Sequence, residues 1–244
     1  MPVIDSRLRA GAVAAIACLL IPLLLLGACV PPRPTPIPEA PAATPGPTRA
    51  PSAPAGWLEH EIADSGLVLA LPEGWLVVDE TTLADPPRRA ELERDFEGAE
   101  TLFGQLDAQG RRARIVLLGI DERARGRGTF APNVTVVAVE PPLPPLLLGI
   151  GADFAVSALE GAFAIETAIE RSDVETPLGG GIRIAFSHRV VGPAGGRGVL
   201  VEHDGILVTT GSASFLVSRN FDPETAPPDT PTLEQIVGTL RSAR

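Results

Sequence analysis

Imidazole and thiol groups are frequent starting points for catalysis and metal binding. This chain carries few of them: His60, His188 and His203, with Cys18 and Cys29. Glu202-His203-Asp204 sets one ring between two carboxylates, donor types that suit zinc. Zinc needs three or four converging ligands, and successive strand side chains point to opposite faces. The run therefore reads as a plain surface turn, and no metal ligand is assigned. Ser187-His188 pairs a nucleophile type with a base type, but neighbours on a strand face apart, and such a pair must lie within hydrogen-bond reach. Gly211-Ser212-Ala213-Ser214 is placed mid-strand and lacks the second glycine of a nucleophile elbow. Gly192 to Gly198 joins two strands instead of opening a helix, so it lacks the helix N-terminus that a phosphate cradle requires and reads as a hairpin loop. The carboxylates are scattered, and sequence alone cannot pair them as glycosidase acids. No catalytic residue and no cofactor is assigned, and the domain is read as non-enzymatic.

The N-terminus carries a clearer signal. Arg7 and Arg9 precede an uncharged run from Gly11 to Val30, the order of a secretory signal. The run ends in Leu26-Gly27-Ala28-Cys29, which resembles the bacterial lipobox: a leucine, two small residues and an obligatory cysteine. That resemblance implies a signal peptide over residues 1–28 and a lipid on Cys29, which becomes the first residue after cleavage. The alternative is an uncleaved membrane helix, since about 20 apolar residues can span a bilayer. Either way the arginines stay inside and the remainder is exported. Cys18 would be discarded, leaving the exported part without a thiol or a disulfide, so its fold must rest on a hydrophobic core.

Residues 29–56 follow as the lipidated cysteine and a linker. Pro31 to Gly56 holds ten prolines among Ala, Thr, Ser and Gly without apolar periodicity. Such a stretch favours extended polyproline II, with a reach of roughly 80 Å at about 3.1 Å per residue. Residues 57–244 are left as one domain of ordinary size. There 16 arginines face 28 acidic residues, a net charge of −12, and lysine is absent. That balance argues against nucleic acid or anionic lipid as a partner.

Hydrophobic patterning gives the elements that would position any site. Leu67–Leu71 and Leu76–Val78 read as strands around a Pro72-Glu73-Gly74 turn. Leu92, Phe96, Ala99, Leu102, Phe103 and Leu106 recur three or four apart, predicting one amphipathic helix between Pro86 and Leu106. Arg114–Ile120 and Asn133–Val139 are β-prone, and the Asn133-Val134-Thr135 glycosylation triplet has no weight in a bacterial strand. A second helix is expected from Pro145 to about Ala164, with Phe154, Ala158, Ala162 and Ile165 as its buried stripe. The C-terminal third reads as a meander: Asp173–Leu178, Gly181–Val191, Gly198–Glu202 and Gly205–Phe215, with His203-Asp204-Gly205 as a tight hairpin turn. A helix over Thr232–Arg241 closes the chain. The order lacks βαβ alternation, so the fold class is α+β, a mostly antiparallel sheet covered by helices.

Several stretches resemble the Mog1/PsbP-like superfamily. They are Gly66 through Leu71-Pro72-Glu73-Gly74-Trp75, the Asn133–Val137 strand with the helix after it, Gly179-Gly180-Gly181 leading into a strand, Asp204-Gly205, and Gln235–Arg241. The resemblance covers most of 57–244 in order. It implies an α/β/α sandwich and no shared catalytic residues, and hence a binding or assembly role.

The expected function is that of a membrane-anchored lipoprotein on the outer face of the cell membrane. It would be a non-enzymatic module that binds or assembles with a protein or small ligand of the envelope; a small-ligand-binding lipoprotein and a surface hydrolase are the alternatives. The candidate partner contact is Leu143, Leu146, Leu147, Leu148 and Ile150, in a proline-stiffened, uncharged run. The competing reading has these residues plug one end of the core.

Overall fold

A computed structural model describes residues 53–62, 65–109, 113–190 and 198–243. Cys18, Cys29 and most of the proline-rich stretch lie outside the described residues, as does most of Gly192–Gly198. Thr48–Arg244 forms one compact unit. Its elements are β1 (Trp57–Ile62), β2 (Leu67–Pro72), β3 (Trp75–Asp79), α1 (Glu80–Leu83), α2 (Pro86–Asp95), α3 (Ala99–Gln109), β4 (Ala113–Asp121) and β5 (Asn133–Val139). Then come α4 (Leu148–Ala162), β6 (Glu170–Thr176), β7 (Gly179–Val190), β8 (Val199–Thr209), β9 (Ser214–Phe221), α5 (Leu233–Val237) and β10 (Arg241–Ser242).

Seven strands form one antiparallel sheet in the order β3-β4-β5-β9-β8-β7-β6. It consists of two meanders, β3-β4-β5 and β6-β7-β8-β9, joined by pairing of β5 with β9. A second sheet of three strands, β1-β2-β10, is also antiparallel. The fold is thus α+β and mostly antiparallel.

Strand alternation decides which face each residue serves. Val134, Val136, Phe215, Val217, Ile206 and Val208 point to one face. There they meet Leu67, Leu69 and Leu71 of the small sheet and Leu233, Ile236 and Leu240 from the α5 region. The other face carries two separate helical covers. Leu92, Phe96, Ala99 and Phe103 from α2, α3 and the residues between them pack on Leu118 and Ile120 of β4. Leu148, Ala152 and Leu159 of α4 pack on Ile184, Phe186 and Leu207 of β7 and β8. The chain leaves β5 at the middle of the sheet, crosses this face as α4 and returns at the far edge as β6. The middle strands β5 and β9 lie between the two helical covers.

Several expectations change. Leu67–Leu71 and Leu76–Val78 are strands, but the Pro72-Glu73-Gly74 turn passes the chain from one sheet to the other. Gly74 takes a left-handed φ of 87° there, which a side chain would disfavour. The single helix after Pro86 is two helices. Phe96 closes the first in extended backbone (φ −128°, ψ 121°), which lets both Leu92 and Phe103 reach the core. Asp204-Gly205 is not a hairpin turn. It lies inside β8, and the turn falls at 210–213, so Gly211-Ser212-Ala213 is loop where strand was expected. Gly205 is needed for close approach. A Cβ there would sit 2.9 Å from Ser218 Oγ and 3.0 Å from His203 Nε2. The last helix stops at Val237. Thr239 Oγ1 then accepts from the Ala70 N–H, and Arg241–Ser242 pair with β2.

Candidate functional site

Along β9 the residues facing the helices are Ser214, Leu216, Ser218 and Asn220; along β5 they are Asn133, Thr135, Val137 and Val139. Register sets Asn220 between Asn133 and His203, and Ser218 between Thr135 and Gly205. Five polar side chains therefore cluster at the centre of a covered face, all of them buried. Buried polar groups are retained at a cost unless they are hydrogen-bonded, so such a patch inside a sheet is informative.

The patch forms a directed chain. Asn133 Nδ2 donates to the Ala131 carbonyl at 3.1 Å, and Asn220 Nδ2 donates to Asn133 Oδ1 at 2.9 Å. Asn220 Oδ1 meets His203 Nδ1 at 2.7 Å. Phe186 stacks on the His203 ring at 4.5 Å and 25°, and Phe163 approaches His188 edge-on at 4.4 Å. His203 Nε2, His188 Nδ1 and Ser218 Oγ find no hydrogen-bond partner among the described residues. Burial pushes both imidazoles down to about 4. At neutral pH both rings are uncharged.

Above this floor lies a cavity of about 740 Å³, inside the range that encloses a small organic ligand. Its floor is Thr135, Ser218, Asn220 and His203 with Val137, Leu207 and Leu216. Its walls are Leu102 of α3, Leu143, Phe163, and Gly151, Phe154, Ala155 and Ala158 of α4. Glu140 stands at the rim, bridged at 3.3 Å to Arg114. A smaller hollow of about 40 Å³ lies beside it, lined by Phe130, His188 and Val190 and sharing Phe163 and Asn220.

No protein-family model matches the chain, and no curated protein matches it either.

The structure regroups the residues that the sequence offered. Glu202 and Asp204 face away from His203, and Asp204 pairs with Arg183 at 2.7 Å. His203 is 6% exposed, not part of a surface turn. Ser187 and His188 do face apart. His188 and His203 share Phe186, with ring centroids 5.6 and 4.5 Å from it. Among the described residues no group of three His, Cys, Asp or Glu side chains is placed to hold a metal ion. The α4 stripe is also corrected. Its buried residues are Leu148, Gly151, Ala152 and Leu159, whereas Phe154 is 73% exposed. Small and apolar residues occur nearly all round this helix, so periodicity does not single out one face.

The proposed contact run divides. Leu146, Leu147 and Ile150 are exposed, Leu146 at 97%; Leu143 is half-buried against Gly151, and Leu148 is buried. Ser218, Asn220, Asn133 and Thr135 were not expected to belong to a site. Their signal was a strand, Ser214–Phe221, in which Phe215 and Val217 alternate with Ser218 and Asn220 although both faces are covered.

Proposed function

We propose that this chain is a lipoprotein anchored through Cys29 on the outer face of the cell membrane. Its folded unit binds a small, largely apolar molecule in the cavity between α3 and α4, without catalysing a reaction. The observation that carries this reading is the 740 Å³ cavity, mostly apolar, with His203, Ser218 and Asn220 converging on its floor. This is the composition of ligand sites: apolar walls with a few placed polar groups. Leu26-Gly27-Ala28-Cys29 supports the anchor. The Pro72-Glu73-Gly74-Trp75 turn supports a Mog1/PsbP-like α/β/α sandwich, as do helices on both faces of the large sheet.

Organic extraction of the protein purified from membranes, followed by mass spectrometry, tests the binding role. A small molecule should be recovered in roughly equimolar amount from the wild type. The variant Ala155→Phe, which fills the cavity from α4, should lose it while still melting cooperatively. Equal recovery from both proteins would count against the cavity.

A second contact is favoured by Leu146, Leu147, Ile150 and Phe154, which are apolar and exposed on one end of α4. Residues 141–152 carry no charge. For a domain tethered within about 80 Å of a bilayer, the fitting occupant is the membrane interface. Exchange protection of 145–154 on addition of uncharged phosphatidylcholine vesicles is the expected result. Unchanged exchange would remove this contact.

A further inference from the structure

The ligand's chemistry can be read from the direction of the hydrogen-bond chain, an inference that rests on the binding role above. The Ala131 carbonyl can only accept, so Asn133 turns its N–H toward it and its oxygen toward Asn220. Asn220 donates to that oxygen, which leaves its own oxygen facing His203. The ring must then carry its hydrogen on Nδ1. An uncharged imidazole protonated at Nδ1 has a lone pair at Nε2, so His203 presents an acceptor to the site.

Beside it is Ser218 Oγ, in a side chain only 1% exposed and equally without a partner among the described residues. A methyl group built on Gly205 would touch both atoms, which shows that they converge on one spot. An acceptor next to a rotatable hydroxyl is matched by another hydroxyl. That group donates to Nε2 while its oxygen accepts from Ser218. An ether oxygen can satisfy only the serine. A carboxylate cannot donate, and among the described residues no cationic side chain lines the cavity to offset its desolvation. An ammonium group would meet an uncharged ring, with Glu140 only at the rim. Apart from Thr135 and Asn220 on the floor, the rest of the lining is apolar.

We infer that the cavity takes an uncharged hydrophobic alcohol or phenol, its hydroxyl between His203 Nε2 and Ser218 Oγ and its hydrocarbon body along α4, Leu143 and Phe163. Binding of 1-decanol, decyl methyl ether and decanoate at pH 7.5 tests this, measured by calorimetry on the full chain held in an amphipathic polymer. The alcohol should bind about tenfold more tightly than the ether, the scale of one net hydrogen bond, and decanoate more weakly than either. Ser218→Ala should weaken the alcohol and the ether by a similar factor, since both oxygens accept from Ser218. It should leave the alcohol's preference, which comes from donation to His203 Nε2, in place. Ser218 is chosen because the His203 ring also packs on Phe186. Equal affinity for alcohol and ether in the wild type would overturn the hydroxyl assignment and leave the cavity reading standing. Tightest binding of decanoate would overturn it too. Failure of all three to bind would overturn both.

Discussion

His188 and His203 make the pH dependence of this fold predictable. Both are pushed down to about 4, chiefly by desolvation. The His203 ring adds to this effect at His188, while Asn220 and Asp204 oppose it at His203. In the unfolded chain each titrates near 6.5, so between pH 6.5 and 4 the unfolded state binds more protons. The histidine contribution to stability is therefore complete above about pH 6.5, declines as pH falls through this window, and stops changing below about 4. Each shift corresponds to roughly 3 kcal/mol at full extent. Urea midpoints should drop steeply between pH 6.5 and 4.5. A flat midpoint across that interval would contradict two neutral, buried rings. Asn220 is the other sensitive position. Asn220→Ala strands His203 Nδ1–H and Asn133 Oδ1 in the interior, and each orphaned group costs about 1–3 kcal/mol. A melting temperature within a degree of wild type would show that these groups find other partners.

α4 shows both how far the sequence could be read and where it became ambiguous. Its extent was legible, because Pro144 and Pro145 mark the entry and the residues that follow favour a helix. Its orientation was not, since Phe154 and Ala158 are as apolar as Leu148 and Ala152, and only the sheet beneath selects one stripe. Strands β4 and β5 were legible within a residue or two because β-branched runs have few alternatives. In β8 the Asp204-Gly205 pair mimics a hairpin signal, yet that glycine makes room for Ser218 and His203. The floor of the site was illegible for the same reason: pairing Asn133, Asn220 and His203 requires a register across three strands. Two variants separate the faces of α4. Leu148→Ser should cost about 2–5 kcal/mol, as for other buried truncations, whereas Leu146→Ser should stay within about 0.5 kcal/mol. Similar losses for both in denaturant titrations would mean that the helix is rotated from this placement. Gly205→Ala should cost about 1–3 kcal/mol through crowding of Ser218 and His203; a neutral result would show that they move aside.

For the molecule as a whole, the anchor and the cavity make separable predictions. Cys29→Ala should abolish acylation and processing, seen as loss of the acylated N-terminal cysteine in mass spectra, with the cavity unaffected. Recovery of intact Met1 from wild-type membranes would favour an uncleaved helix. The pairing of β5 with β9 carries a further consequence, for the order of folding. Within each meander, neighbouring strands follow one another along the chain, whereas this seam joins residues 133–139 to 214–220 across the whole α4 crossover. Closing a long loop is entropically costly, and contacts of such separation slow folding. The Asn133–Asn220 bond and the stacking of Thr135 beside Ser218 lie on that seam. Neither meander alone contains the binding floor, so the site can form only in the step that docks the two halves of the sheet. In a refolding experiment, strand hydrogen bonds within the two meanders should become protected from exchange first. Recovery of ligand binding should follow the later closure of β5 on β9.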